Sequence, residues 1–238
     1  MQIWGHRGAS GEAPENTLPA VELALRQGAD GVEIDVQLSS DGQVVVVHDE
    51  TVDRTTDGAG AVRALSWATL RSLDASTGLN GFAGTPIPTL TEVLDLARHA
   101  VVNIELKNGE TPSPGLEERV VAAVASCRAE DRVVYSSFRQ ASLQQLRSLG
   151  VSAPVGLLYS HPRWRPGRDA QRVGATAVHP PLQTVGGWLV RRIHRRGLPI
   201  HVWTVNAAAD VRRMARLGVD AIITDFPAAA RAALVSSE

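Results

Sequence analysis

The chain has 238 residues, 44% hydrophobic and 21% charged, with a formal net charge of −1. That balance suits one large α/β domain with a full core, excludes a disordered chain, and gives no global attraction to nucleic acid or to an anionic membrane, so that any anion recognition falls to a local pocket. Cys127 is the only cysteine, which excludes an intrachain disulfide framework and a cysteine-rich zinc site; it reads as a small buried residue on a helix.

In chain order, residues 3–6 open a strand that ends on His6-Arg7-Gly8, and Pro14-Glu15-Asn16-Thr17 reads as the entry to a helix over 17–27. Asn16 is expected there as a loop residue that helps to position groups beside His6. The next strand, 31–35, carries Glu33 and Asp35, whose spacing of two puts both carboxylates on one face. Ser39-Ser40-Asp41-Gly42 is a turn signal, so 44–48 folds back as an antiparallel arm and returns His48 to the level of the acids. Residues 49–88 are rich in Gly, Thr and Asp, with a helical patch at 66–73. They read as an inserted cap expected to overhang a pocket, against the alternative of a surface excursion without a role.

Strands then recur at 101–107, 132–137, 154–159, 175–179, 198–204 and 220–224. Helical spacing appears at 91–99, 116–127, 140–149, 188–196 and 208–217. Eight strand segments alternating with helices predict an α/β fold, a (β/α)8 TIM barrel spanning 1–238 as a single domain. It carries an extra hairpin strand and a small inserted cap after the second strand. No apolar run approaches the roughly 18 to 20 residues needed to cross a bilayer, and the first strand leaves no room for an export signal. The sequence therefore reads as soluble and cytoplasmic, with no stable membrane insertion.

Glu105 and Lys107 repeat the alternation of Glu33 and Asp35, so three carboxylates are expected to converge in one interior. Such a cluster is costly unless cations neutralise it, and a divalent ion held through oxygen is the simplest remedy. Hard ligands favour Mg²⁺ or Ca²⁺. The alternative is a set of salt bridges to Arg7 and Lys107 without metal. His6 and His48 beside the acids can exchange protons near neutrality, and Arg7 and Lys107 suit phosphate oxygens. Trp203 is placed at the pocket mouth, where its indole can pack an organic group or receive a cationic one. Among the remaining histidines, His179 alone of His99, His161, His179 and His194 is expected to look into the pocket. The run 191–196 reads as a solvated helix face rather than a nucleic-acid site.

With these residues assembled, the chain resembles the glycerophosphodiester phosphodiesterase family, a barrel related to phosphatidylinositol-specific phospholipase C. The signatures run in order through His6-Arg7-Gly8, Pro14-Glu15-Asn16-Thr17, Glu33-Ile34-Asp35-Val36, His48-Asp49, Asp53-Arg54-Thr55-Thr56, Ile104-Glu105-Leu106-Lys107, Ser137-Phe138, Trp203-Thr204-Val205-Asn206 and Thr224-Asp225-Phe226-Pro227. The resemblance implies metal-dependent hydrolysis of glycerophosphodiesters to glycerol 3-phosphate and an alcohol. It implies His6 and His48 as general acid and base, Glu33, Asp35 and Glu105 as metal ligands, and Arg7 and Lys107 as phosphate holders. The partner is then a small-molecule phosphodiester. Two other readings stand beside it: a lysophospholipase D acting on mono-acyl glycerophospholipids, and a non-catalytic barrel that binds phosphorylated metabolites.

Overall fold

Short Val- and Ile-rich runs buried on both faces are what parallel strands covered by helices require, and the chain builds its fold from them. The computed structural model describes residues 1–76, 78–108 and 113–235. Its strands are β1 (Gln2–His6), β2 (Gly31–Leu38), β3 (Val44–Val46), β4 (Val101–Leu106), β5 (Val133–Ser137), β6 (Val155–Leu158), β7 (Ala177–His179), β8 (His201–Val202) and β9 (Ala221–Thr224). The helices are α1 (Leu18–Arg26), α2 (Trp67–Ser72), α3 (Leu90–Leu96), α4 (Leu116–Ser126), α5 (Gln140–Ser148), α6 (Pro166–Arg172), α7 (Gly187–His194), α8 (Ala208–Leu217) and α9 (Pro227–Val235).

Among the described residues, eight strands run parallel in the order β7-β6-β5-β4-β2-β1-β9-β8, and single bridges from Val178 to Ile200 and from Pro181 to Trp203 close the ring. The predicted (β/α)8 barrel is the observed one. Strand β3 pairs antiparallel with β2, Val36 opposite Val46 and Leu38 opposite Val44. The register that matters for the site sets His6 beside Glu33 and Asp35 beside Glu105.

Side-chain caps open the first helices of the chain. The Thr17 hydroxyl caps α1 by accepting from the Ala20 amide, and Thr89 with Glu92 forms a reciprocal capping box on α3. Two helices, α6 and α9, lie outside the helical segments read from the sequence. Helix α6 is polar and opens on Pro166-Gly167, which reads as a loop, yet proline suits a first turn and Pro166, Gly167 and Ala170 are buried. Strands β7 and β8 are shorter than expected, because the chain from 198 onward meets its neighbour through isolated bridges rather than a continuous ladder. Cys127 is half-buried at the C-cap of α4, not a core residue, since it falls one position past the last helical turn.

The insert at 49–88, whose residue 77 lies outside the described residues, buries its own cluster of Val52, Val62, Leu70, Ala75 and Ile87 against Val45 and Val47 of the hairpin arm. It thus packs on the arm's flank. None of its described residues lines the central cavity described below, so the expected overhang is not seen among them.

Inside the barrel, His179 and His201 form a buried pair, with His201 Nδ1 2.9 Å from His179 Nε2 and the Trp4 ring 4.5 Å from that of His201. A Cβ at Gly156 would overlap the His179 ring, so the histidine fills the space that glycine leaves. His179 therefore faces its partner in the barrel interior and does not line the cavity, contrary to the sequence expectation. Burial holds His179 well below 6.5 and His201 down at about 4, in the latter case against a weaker opposing pull from Asp220. The unfolded histidines bind protons below about 6.5 while the folded ones do not, so stability falls as pH drops through that window. For His201 alone the loss by pH 4 is on the order of 3 kcal/mol. Urea midpoints measured from pH 7 to pH 4 are expected to decline in this range, and replacing both histidines by Gln flattens the decline.

Candidate active site

The rim where β1, β2 and β4 end collects the charged residues. Arg7 sits in a left-handed conformation (φ 56°), followed by Gly8 (φ 82°), where a Cβ would collide with the Ala20 backbone. This tight turn brings the Arg7 amide to Glu33, donating to Oε2 at 3.1 Å. Asn16, also left-handed (φ 59°), clamps Asp35 from both ends: its Nδ2 donates to Asp35 Oδ2 at 2.8 Å and its Oδ1 accepts from the Asp35 amide at 3.1 Å. The expectation of Asn16 as a positioning residue takes this concrete form.

Glu33, Asp35 and Glu105 are buried, and one oxygen from each lies within 4.8 Å of the others. Lys107 Nζ donates to Glu105 Oε1 at 2.8 Å and lies 3.7 Å from Asp35 Oδ1, while Arg7 Nε is 3.3 Å from Asp35 Oδ2. Burial raises the Asp35 carboxyl, but Lys107, Arg7, His48 and Asn16 together hold it below the usual range. Glu33 has no such pairing: burial, then the charge of Asp35, pushes it up to about 8, and the same two causes push Glu105 to about 6. Among the described residues Arg7 and Lys107 pair with Asp35 and Glu105, while His6 and Arg7 only partly offset the burial of Glu33, so the ion-pair-only reading leaves Glu33 without a cation in contact. The donor set, three hard oxygens with one negative charge in excess, fits a divalent cation such as Mg²⁺ or Ca²⁺.

Each rim histidine is held by a carboxylate through Nδ1. His6 Nδ1 is 2.6 Å from Asp225 Oδ1, which also accepts from Ser10 Oγ at 2.9 Å, and His48 Nδ1 is 2.6 Å from Asp49 Oδ1. Asp225, although burial opposes it, is held at about 2 chiefly by the His6 hydrogen bond, so it accepts and Nδ1 carries the proton. The other nitrogen, Nε2, is left for chemistry in both rings. The two imidazoles nevertheless differ. Burial disfavours charge on His6, yet Asp225 and Glu33 overcome it and its pKa rises above 6.5. On His48 burial, reinforced by Lys107 and Arg7, outweighs Asp35 and the pKa falls. Asp49 is fixed in turn by Arg54, whose Nε donates at 2.6 Å, while Arg54 and Arg7 both bind Glu15 at 2.8 Å.

A cavity of about 190 Å³ opens among these groups, lined by His6, Arg7, Glu33, His48, Glu105 and Lys107 on one side and by Phe138, Leu158, Trp203 and Ile223 on the other, with Asn103 also contributing. Trp203 is fixed by its Nε1, which donates to the His179 carbonyl at 2.9 Å, and by an edge-on contact with Phe138 at 5.6 Å. Of the eight residues singled out from the sequence as site residues, Asp35 alone does not line the cavity; it stands behind, joined to Arg7 and Lys107. Sequence reasoning did not give Asp225 a role. Barrel closure was the available signal: β9 pairs with β1, Gly5 opposite Thr224, which brings residue 225 next to His6.

A closed βα barrel with acids and carboxylate-held histidines at the strand ends, gathered at one small cavity, is the arrangement of a barrel enzyme with its site at the C-terminal rim. Residues 6–229 match the model of the glycerophosphoryl diester phosphodiesterase family, and the chain belongs to that family. It is 42% identical over 228 residues to a glycerophosphodiester phosphodiesterase of Caldanaerobacter subterraneus subsp. tengcongensis, covering 94% of each chain, and 38% identical to one of Bacillus altitudinis, covering 95% of each. Among solved structures, an Oleispira antarctica phosphodiesterase in complex with the product sn-glycerol-3-phosphate superposes with a TM-score of 0.88 at 30% identity, over 99% of this chain and 97% of the other. A glycerophosphodiester phosphodiesterase of Agrobacterium tumefaciens gives 0.86 at 32%, over 98% and 99%.

Proposed function

We propose that this protein hydrolyses glycerophosphodiesters to glycerol 3-phosphate and an alcohol, with a divalent cation held by Glu33, Asp35 and Glu105 and with His6 and His48 transferring protons. One observation carries the reading: two imidazoles, each oriented by a carboxylate, line the same cavity as Glu33 and Glu105, which cluster with Asp35 behind them. When bound, the cation supplies positive charge to the phosphate oxygens. Arg7 offers a planar fork of donors and Lys107 a point charge to the same oxygens. The P–O bond to the alcohol breaks as a nucleophile adds to phosphorus: water, which gives glycerol 3-phosphate directly, or the substrate's own 2-hydroxyl, which gives a cyclic phosphate that water then opens.

The difference between the two histidines supports a division of labour. His48, held towards its neutral form, takes the proton of the nucleophile, and His6, held towards its charged form, delivers one to the departing alkoxide. The rate therefore rises with pH as His48 loses its proton and falls again as His6 does. Arg54 and Glu15 act as positioning residues, because they touch Asp49 and Arg7 rather than the cavity.

The apolar wall of Phe138, Leu158 and Trp203 is suited to the carbon side of a small diester. Replacing Trp203 by Ala is expected to raise KM by roughly tenfold, the loss of about 1.4 kcal/mol of contact, with a smaller change in kcat. Turnover of glycerophosphocholine or a similar deacylated diester is expected to exceed that of lysophosphatidylcholine. The opposite order, in a panel assayed with Mg²⁺ or Ca²⁺, would assign the chain to mono-acyl lipids instead.

A further inference from the structure

Charge is unevenly distributed along this near-neutral chain. Between residues 160 and 199 stand eight arginines and a single acid, Asp169, so the remainder of the molecule is correspondingly acidic. The fold gathers this segment on one flank. Arg196 of the α7 end lies against Gly167 of α6 and donates to Gln171 at 3.0 Å, and α6 packs beside α7. Asp169 is taken up by Arg163 and Arg172.

On α7, Leu189, Val190 and Ile193 face the barrel. Trp188, Arg191, Arg192 and Arg195, at helical spacings of three, four and seven, form the opposite stripe. Arg192, Arg195 and Arg196 line an open groove. Two large indoles stand out of the same flank: Trp188 is 57% exposed at the start of α7 and Trp164 is 85% exposed just before α6. Both sit at the barrel end that carries the site, since each follows the C-terminal end of its strand. The loop holding Trp164 also borders the cavity, because Phe138 and Leu158 line both the cavity and the depression that runs on to Arg163.

We infer that this flank docks the enzyme on the surface of an anionic phospholipid bilayer, with the arginines meeting the headgroup charge and Trp164 and Trp188 seated at the interface. Charge complementarity selects an anionic surface, and amphipathic indoles with cationic neighbours are the side chains that partition to the headgroup layer. Nucleic acid fits less well. The Arg192 guanidinium lies 4.7 Å from the centroid of the Trp188 ring and covers a face that a base would need. No described helix is long and apolar enough to cross a membrane, so the association is peripheral and reversible. It would hold the cavity mouth beside the layer from which deacylated headgroup diesters are released, a consequence that rests on the proposed substrate class; the docking itself does not.

The test is co-sedimentation of the full chain with vesicles of phosphatidylcholine alone or with about one-third phosphatidylglycerol, at low and high salt, with tryptophan emission recorded in parallel. Binding to the anionic vesicles at low salt, its loss at roughly 0.5 M salt where charges are screened within a few ångströms, and a blue shift of emission are expected. The triple variant Arg191→Ala, Arg192→Ala, Arg195→Ala should lower the partition coefficient by about two orders of magnitude, near fivefold per arginine. Its hydrolysis of a soluble diester in the absence of vesicles should be unchanged. Equal binding to neutral vesicles, an unaffected triple variant, or duplex DNA bound more tightly than anionic vesicles at the same salt would overturn the inference. None of these results bears on turnover, so docking and activity fail separately.

Discussion

Replacing His6 by Ala is expected to lower kcat by about 10²- to 10⁴-fold on a natural diester, with folding and cation binding retained, because it removes the proposed proton donor and none of the three carboxylates. His48→Ala gives a loss of similar size. The two are separated by the leaving group. A diester of an acidic phenol departs without a proton, so activity of the His6 variant recovers towards wild type on that substrate, whereas the His48 variant stays impaired. The pH profiles separate them again: the descending limb belongs to His6, whose pKa is raised by Asp225 and Glu33 against burial, and the ascending limb to His48, whose pKa burial lowers. Recovery of the wrong variant would reverse the assignment of acid and base.

The second large effect concerns Glu33. A chelator is expected to abolish turnover, and Glu33→Gln to reduce it at least 100-fold while weakening cation affinity. The same substitution has the opposite effect on the metal-free fold. Glu33 is pushed to about 8 by burial and then by Asp35, above its ordinary 4.5. Such a group costs stability as pH rises from 4.5 towards 8, because the unfolded chain ionises first. By pH 8 the cost is on the order of several kcal/mol, and the amide removes it. Metal-free Glu33→Gln protein should therefore melt higher than metal-free wild type at pH 8, and a given concentration of Mg²⁺ or Ca²⁺ should raise the melting temperature of the wild type more than that of the variant. A variant that melts lower, or that responds to the cation as strongly as the wild type, would mean that the excess charge has been misplaced.

Much of this arrangement is legible in the sequence because a strand's period of two is unforgiving. Once Glu33, Asp35, Glu105 and Lys107 lie on strands, their faces follow, and the turn at 39–42 fixes where His48 returns. The partner of His6 was less accessible. Asp225 is 219 residues away in sequence and adjacent only once the last strand pairs with the first, so it requires the closed register rather than a local pattern. Arg54 was visible as part of a motif, but its bridging of Asp49 and Glu15 depends on how the insert folds against the hairpin arm. The inward aim of His179 is hidden for a related reason: position near a strand end does not distinguish a ring aimed at the cavity from one aimed at a partner such as His201 in the barrel interior. Helix α6 was missed because its sequence is polar and its burial comes from the helix beside it.

The ring of strands is joined unequally. Between β4 and β2 six residue pairs are in register, whereas β7 and β8 meet at two isolated bridges. The hoop thus has a seam, and one of its two stitches is the Pro181–Trp203 bridge. Amide hydrogens along 200–203 are expected to exchange sooner than those of β2 and β4. The same tryptophan stands in the apolar wall of the cavity, so, on the proposed function, breathing of that joint would be felt first on the carbon side of a bound diester.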